Sequence, residues 1–269
     1  MHIVRFVRRT QIIILVAGVA VAGCTGLARG DRAGTATAQA QRAVSMATQM
    51  GEYVQATLVA ENQKATATTI ARQALLQEAR QWWLQLSDSF DENLHGWATG
   101  EEQNPELGSM KWSIAGGKYT WQAQAKSSFV WWVIPDGKAA SDFYLAVSAR
   151  QVSHPEVGEY GVIFRQSEDG NYYLFEVSES GKYALFLHSP EGWETLIDWT
   201  PHPAISPGVA KRLEVVASGP LFDFYVNGEF INEYTDDRLT QGMTGLLVGL
   251  SNEGDQVAWE FDDYEWRVR

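Results

Sequence analysis

Cysteine is almost absent from this sequence: Cys24 is the only one in 269 residues. No intramolecular disulfide can form, so the folded part of the chain must be stable through its core alone. A long apolar run is missing as well. The apolar stretch from Ile12 to Ala22 is shorter than the ~20 residues that a membrane-spanning helix requires.

Basic residues are scarce in the second part of the chain. Residues 87–269 carry twelve Lys or Arg against twenty-nine Asp or Glu, a balance of −17, whereas residues 1–86 carry +5. Because phosphate binding depends on clustered Lys and Arg, this balance argues against nucleic acid and against direct adhesion of this part to anionic lipid. All eleven tryptophans lie at position 82 or later. The composition therefore predicts one acidic, aromatic domain of ordinary size over 87–269.

Several common catalytic and metal-binding motifs are missing too. No two of the five histidines have the spacing of metal ligands, and the sequence has no nucleophile elbow, phosphate loop or zinc motif. We therefore predict that the chain holds no cofactor.

The N-terminus has the pattern of an export signal. Three arginines in the first nine residues precede the apolar stretch, and Val21-Ala22-Gly23-Cys24 follows it. These residues resemble the lipobox of a bacterial lipoprotein signal. The resemblance implies a signal peptide over 1–23, a lipid on Cys24, a flexible linker over 24–34, and a chain anchored to the cell envelope on its extracytoplasmic side. The alternative is an uncleaved signal anchor with an inert Cys24.

Residues 35–86 favour a helix, because they contain no proline, one glycine and many Ala, Gln, Glu and Arg residues. The segment from Glu61 to Thr69 has almost no apolar side chain, so no sustained heptad pattern is present. Two interpretations stay open. One is a helical stalk, ~75 Å long if continuous, which could also mediate self-association. The other is a partly disordered spacer, with order mainly in Ile70 to Leu86.

From Ser87 onward, apolar and polar residues alternate, and turn residues return every 8–12 positions. The pattern predicts twelve strands, over 111–114, 118–124, 128–134, 142–151, 160–166, 172–177, 182–187, 195–199, 211–217, 221–226, 245–250 and 258–268. Asn227-Gly228 has the composition of a two-residue hairpin turn. Hairpins without intervening helices predict an all-β fold, a two-sheet antiparallel jelly-roll sandwich.

Seven segments of this domain have the residue types of strands and turns and occur in an order that can be compared with known families. They are Asp88-Ser89-Phe90-Asp91, Gly96-Trp97, Tyr160 to Arg165, Asn171 to Val177, Phe224 to Gly228, Gly242 to Leu246 and Phe261 to Tyr264. They resemble the concanavalin A-like lectin/glucanase superfamily, in its laminin G-like and 3-keto-disaccharide hydrolase-like branches. The resemblance implies an extracellular binding module, with a carbohydrate or a cell-surface polymer as partner. Because this fold hosts many functions, a glycoside-active hydrolase and a structural or adhesion lipoprotein without a small ligand stay open. Some relatives bind calcium, so a calcium site at Asp88, Asp91 or Asp262 is the alternative to our expectation that these acids lie in solvent.

The last predicted strand carries an acidic pattern, Glu260-Phe261-Asp262-Asp263-Tyr264-Glu265, that resembles the active strand of laminarinase-type glycosidases. Retaining hydrolysis needs two carboxyl groups ~5–5.5 Å apart, a spacing that i and i+2 neighbours approach. The apolar alternation slips at Asp262-Asp263, which predicts a bulge that brings Glu260, one of the two Asp and Glu265 to one face. In those enzymes the strand is internal, whereas here it closes the chain. We therefore expect a solvated outer face, with catalysis by Glu260, Asp262 and Glu265 as the alternative.

Aromatic side chains stack on sugar rings, and charged side chains bind sugar hydroxyls. Trp131 and Trp132 are adjacent on a strand, so they point to opposite faces. Arg165 lies in an apolar strand, where it either pairs with Glu176 or Asp169 or faces a ligand. The candidate ligand-binding residues are Trp131, Trp132, Arg165, Tyr172, Glu176 and Trp193. For each aromatic residue among them, a place in the sandwich core is the other interpretation.

Overall fold

The computed structural model describes residues 31–153 and 157–269, and the side chains from residue 36 onward. The predicted signal peptide and Cys24 lie outside these residues. The chain divides into two units, Met1–Asn62 and Gln63–Arg269. Helix α1 (Asp31–Ala79) begins inside the predicted linker, and its side chains over 36–62 are exposed. No helix among the described residues is apolar over a length that could cross a membrane.

The second unit is an antiparallel β-sandwich, as the sequence predicts. Its strands are β1 (Trp83–Asp88), β2 (Gly100–Asn104), β3 (Gly108–Ile114), β4 (Tyr119–Ala125), β5 (Phe129–Val133), β6 (Phe143–Gln151), β7 (Glu159–Gln166), β8 (Tyr172–Ser178), β9 (Lys182–Ser189), β10 (Gly192–Pro201), β11 (Lys211–Ser218), β12 (Leu221–Val226), β13 (Glu229–Thr235), β14 (Met243–Leu250) and β15 (Gln256–Val268).

These strands form two sheets. The larger has nine strands in the order β13-β12-β11-β6-β15-β4-β3-β2, with β1 also paired to β15. The smaller has six strands in the order β10-β9-β8-β7-β14-β5. Alternate side chains of both sheets bury one hydrophobic core between them, which includes Trp121, Trp259 and Trp266. The mixed order of neighbouring strands is that of a jelly roll, so the predicted fold class is confirmed.

The twelve predicted strands are all present, and β1, β2 and β13 are additional. Strand β2 is polar and exposed, so it carries no alternation that a sequence pattern could reveal. Strand β1 begins at Trp83, inside the segment predicted to be a stalk. The apolar residues of this segment fit a helical spacing, and the same residues also fit a strand in which Leu86 and Asp88 are buried. The sequence pattern alone therefore does not show where the helix ends.

Two local predictions about the backbone are confirmed. Asn227 and Gly228 adopt φ values of 54° and 76° and join β12 to β13 as a tight hairpin. In β15 the register shifts between Asp262 and Glu265, and Asp263 has a φ of 49°. This bulge places Glu260, Asp262 and Glu265 on the outer face of the larger sheet, while Phe261, Tyr264 and Trp266 point into the core.

The C-terminal turns of α1 pack on the outer face of the larger sheet, within the second unit. Leu76, Ala79 and Trp82 are buried there against an apolar patch formed by Tyr144, Ala146, Val216 and Tyr225. Two buried acids of the sheet pair with arginines of this segment: Glu214 with Arg80 at 2.6 Å and Asp223 with Arg72 at 3.1 Å. The last part of the helical segment therefore belongs to the β-unit, where it forms a second apolar cluster on the outer face of the larger sheet.

Candidate functional site

The smaller sheet carries a cavity of about 340 Å³ on its outer face, which we call the outer groove. Its lining residues are Ser128, Phe129, Val130, Glu159, Glu176, Phe186, Trp193, Thr195, Trp199, Gly249, Leu250 and Ser251. Strand alternation puts Glu176 there, because its neighbours Phe175 and Val177 point into the core. The groove therefore lies on the face of the sheet opposite to the sandwich core.

Small residues lie opposite the two acids of the groove on the neighbouring strands. Gly161 lies opposite Glu176 on one side and Ala184 lies opposite it on the other, while Gly249 lies opposite Glu159. A Cβ atom on Gly249 would stand 3.2 Å from the Glu159 carboxylate. Gly161 and Gly249 are thus positions where a larger side chain would meet the neighbouring strand or the Glu159 carboxylate.

Glu159 and Glu176 lie on the neighbouring strands β7 and β8. The register pairs Glu159 with Ser178 and Gly161 with Glu176, so the two glutamates are diagonal neighbours on one face. Glu176 is 5% exposed and has no hydrogen bond or ion pair with any other described residue. Glu159 accepts a 3.4 Å hydrogen bond from the Ser251 hydroxyl. Two acids thus share one site without a cation among the described residues.

Burial changes the protonation of both acids. Loss of solvent raises the pKa of Glu176 to about 8, and the charge of Glu159 adds to this effect. Burial also raises the pKa of Glu159 to about 7, with a smaller contribution from Asp255 and an opposing one from the Ser251 hydrogen bond. Near neutral pH the groove can therefore offer both a protonated carboxyl group and a carboxylate.

Aromatic rings form a row beside the two acids. The centroid of Tyr172 lies 5.0 Å from that of Trp132 and 4.8 Å from that of His188, which stacks on it at 12°. His188 lies 4.8 Å from Trp193. Trp132 is 39% exposed and Trp193 is 52% exposed. The row runs from β5 to β10, and Trp193 also lines the groove.

Four of the six predicted ligand-binding residues are brought to this face: Trp132, Tyr172, Glu176 and Trp193. Trp131 is not among them. It packs edge-on against Trp112 and Phe129, each with centroids 5.8 Å apart, at the margin of the core.

Arg165 is also elsewhere, and the predicted partners Glu176 and Asp169 are wrong. Its guanidinium is buried, lies 4.7 Å above the Phe222 ring, and donates to the backbone carbonyls of Leu239, Ser141 and Gly219. A φ of 51° at Arg165 and the register shift of β7 against β14 end the regular alternation at this point. The side chain therefore lies over a core ring instead of beside Glu176.

Sequence reasoning missed Glu159, Phe186, His188 and Trp199. The alternation of β9 does place Phe186 and His188 on one face, but their neighbours depend on the pairing of β8, β9 and β10. Glu159 stands at the first position of β7, one residue before the predicted strand. A period-2 reading of the strands, combined with a correct pairing, is the signal that could have found them.

Three acids of β15, Glu260, Asp262 and Glu265, lie on the other sheet, and each of these three has a basic partner. Glu260 pairs with Arg150 at 2.6 Å, Glu265 pairs with Arg212 at 2.8 Å, and Asp262 pairs with Lys118. They lie on the outer face of the larger sheet, as the sequence predicts. The outer groove is on the smaller sheet, so these acids are not part of it.

The acids considered for calcium do not come together as one site. Both carboxylate oxygens of Asp88 accept hydrogen bonds, from the Phe90 amide at 2.7 Å and the Trp97 indole at 2.8 Å. Asp91 accepts a hydrogen bond from Ser89. Over 31–153 and 157–269, no three His, Cys, Asp or Glu side chains are grouped as metal ligands.

Comparison with known proteins identifies the fold. No protein-family model matches the chain, and no curated protein has a significantly similar sequence. Among solved structures, the laminarinase catalytic domain from Thermotoga maritima has a TM-score of 0.50 and 11% identity, over 70% of this chain and 98% of that one. A structure described with endo-acting O-glycanases of the human gut microbiota has a TM-score of 0.50 and 12% identity, over 69% and 99%. The carbohydrate-binding module CBM66 from Bacillus subtilis has 20% identity over 65% and 97%, with a TM-score of 0.48. At these identities the likeness to the laminarinase and O-glycanase structures shows the fold alone, a two-sheet jelly-roll sandwich.

Proposed function

We propose that the β-sandwich is a carbohydrate-binding module and that the outer groove holds the sugar. The observation that carries this proposal is the pairing of a buried, unpartnered carboxyl group, Glu176, with the exposed ring of Trp193 in one cavity. Ligand sites combine apolar walls with a few polar groups, and sugars present apolar C–H faces together with hydroxyls. The laminarinase and O-glycanase structures supply a supporting analogy, since carbohydrate-active proteins use the same fold.

Each part of the groove has a role in this proposal. Trp193 and Trp199 provide the rings on which a sugar stacks. Glu159 and Glu176 on the floor bind the polar groups of that sugar. The row of Trp132, Tyr172 and His188 extends the aromatic surface beyond the groove, so a chain of several sugar units would find further contacts there.

A glycan array followed by calorimetry on the best ligand tests the proposal. We expect Trp193→Ala to weaken binding about tenfold or more, as truncation of a central aromatic contact does. Trp83→Ala is the matched control, because Trp83 is 79% exposed and lies on β1 of the other sheet. Failure of the wild-type chain to bind any glycan, or equal losses in the two variants, would contradict the proposal.

We further propose that a lipid on Cys24 anchors the chain to a membrane, with the sandwich on the extracytoplasmic side. The support is the sequence Val21-Ala22-Gly23-Cys24 after the basic and apolar segments. The full-length chain expressed in a bacterium should be recovered with membranes and carry a lipid at its N-terminus by mass spectrometry. Cys24→Ser should release it, and equal membrane recovery of both forms would contradict lipidation.

Self-association through the helical segment is also proposed. Within the first unit, α1 exposes apolar side chains, among them Met46, Met50, Tyr53, Val54 and Leu58. Burial of such side chains against a second copy of the chain would lower the free energy and stabilise an oligomer. Sedimentation should show an oligomer for the full chain that Met50→Glu weakens, whereas a monomer at high concentration would contradict this proposal.

A further inference from the structure

Glu176 in the outer groove differs from three other buried acids of the second unit, each of which is paired with a basic side chain. Glu179 pairs with Lys211 at 2.8 Å, Glu214 pairs with Arg80 at 2.6 Å, and Asp223 pairs with Arg72 at 3.1 Å. Glu176 is as deeply placed and has no such partner among the described residues. The charged group that acts on it is Glu159, a second acid.

A carboxylate in such a place is unfavourable unless a proton or a cation neutralises it. Burial raises the pKa values of both acids and thereby favours their protonated forms. A cationic ligand could replace that proton and would then form a charge-assisted hydrogen bond in a partly desolvated site. The groove thus has the electrostatic character of a cation site.

The walls of the groove indicate what kind of cation fits. Calcium requires six or more oxygen ligands, and the floor offers two glutamates without a third acidic or histidine ligand in the described parts of the chain. Phe186, Trp193 and Trp199 instead supply aromatic rings, which attract organic ammonium groups and also stack on sugar rings. In a sugar that carries an ammonium group, the ammonium can bind the two glutamates while the ring stacks on the aromatic side chains.

We propose that the outer groove selects amino sugars with a free ammonium group, such as the glucosamine units of a de-N-acetylated polymer, and that Glu159 and Glu176 bind this ammonium. The inference rests on the proposed carbohydrate-binding function and names its ligand class. A neutral or N-acetylated sugar can stack on the same rings but leaves the two acids without a counter-charge.

Calorimetry with two short oligosaccharides tests this selection. Glucosamine and N-acetylglucosamine oligomers of equal length are titrated into the full chain at one pH and one salt concentration. We expect the glucosamine oligomer to bind about tenfold more tightly or better, as an ion pair of this kind allows. Glu176→Gln should reduce the preference to near unity while binding of the N-acetylated oligomer persists, and Glu159→Gln should reduce it in part.

A control is required because the chain carries a net charge of −12 and attracts any polycation. Glu260→Gln makes the same substitution at an ion-paired acid on the other sheet, so it should leave the preference unchanged. Thermal melting of each variant verifies that it is folded.

The outcomes separate this inference from the proposed function. Equal affinity of the wild-type chain for both oligomers overturns the selection for ammonium, whereas carbohydrate binding stands. Equal effects of Glu176→Gln and Glu260→Gln assign the preference to overall charge and also overturn the inference. If the chain binds neither oligomer and no glycan on the array, both the proposed function and this inference are overturned.

Discussion

At the scale of single residues, the hydrogen-bond and ion-pair partners of each buried acid decide whether that acid stabilises the fold. Glu214 is fully buried and accepts hydrogen bonds from Arg80, from the Tyr144 hydroxyl at 2.8 Å and from the Gly228 amide at 2.9 Å. This acid is satisfied, and it ties the end of the helical segment to the sheet. Glu176 has no equivalent donors among the described residues, so its carboxyl group is free to bind a ligand in the proposed site.

Arg80→Ala should therefore destabilise the β-unit. The substitution leaves Glu214 buried without its cation, and because Arg80 itself is partly exposed we expect a loss of about 2–3 kcal/mol in the free energy of unfolding. Urea denaturation measures it. Arg150→Ala breaks the more exposed pair with Glu260 and should cost below about 1 kcal/mol. Equal losses in the two variants would contradict the role given to Glu214.

The groove acids should make stability depend on pH. Glu159 and Glu176 hold their protons more tightly in the folded chain, with pKa values of about 7 and 8, than at the ordinary value of 4.5. Their contribution is therefore fully present below pH 4.5 and is lost as the pH rises through 7 to 8. The charge of Glu159 acts on Glu176, and the charge of Asp255 acts on Glu159.

Glu176→Gln should thus flatten the decrease of Tm between pH 5 and pH 8 and should raise Tm by a few degrees at pH 8. Scanning calorimetry across this range measures both effects. Glu253→Gln, at an exposed turn, is the control and should leave the curve unchanged. Parallel curves for wild type and Glu176→Gln would show that burial does not raise the pKa of this acid.

At the scale of elements, the alternation of side chains carries most of the information. It predicts twelve strands, the β12–β13 turn and the bulge of β15, because each depends on residues adjacent in sequence. The outer groove depends on which strands pair and in what register. That is why Glu176 is found from its strand pattern, whereas its neighbour Glu159 is missed.

The backbone of the β12–β13 hairpin allows a direct test at this scale. Gly228→Ala places a Cβ on a residue with a φ of 76°, so we expect a loss of about 1 kcal/mol in stability. Gly51→Ala is the opposite case, since Gly51 lies within α1 with open space around it and should gain helix stability. Circular dichroism melts that move in the same direction for both variants would contradict this account.

At the scale of the whole molecule, composition and packing divide the chain differently. The charge and the tryptophan content change near residue 86, and this change predicts a domain boundary there. The compact β-unit begins at Gln63, because Leu76, Ala79 and Trp82 cover an apolar patch on the larger sheet. A sheet face that needs such a cover cannot be recognised before the strands are paired.

A truncation series tests this boundary. A chain that begins at Gln63 should melt at nearly the temperature of the full chain, since the helical side chains over 36–62 are exposed. A chain that begins at Ser87 loses most of β1 and the apolar cover, and it leaves Glu214 and Asp223 without their arginines. We expect it to aggregate or to melt far lower, and equal stability of the two truncated chains would contradict the assignment.

The central claim is that the outer groove is the carbohydrate site, and the indole N–H signals of the eleven tryptophans report on it most directly. Nuclear magnetic resonance of the ¹⁵N-labelled chain, titrated with its best glycan ligand, follows each tryptophan separately. The account predicts shifts for Trp193 and Trp199, with Trp83 unchanged on the other sheet. Shifts at Trp83 with none at Trp193 and Trp199 would contradict it.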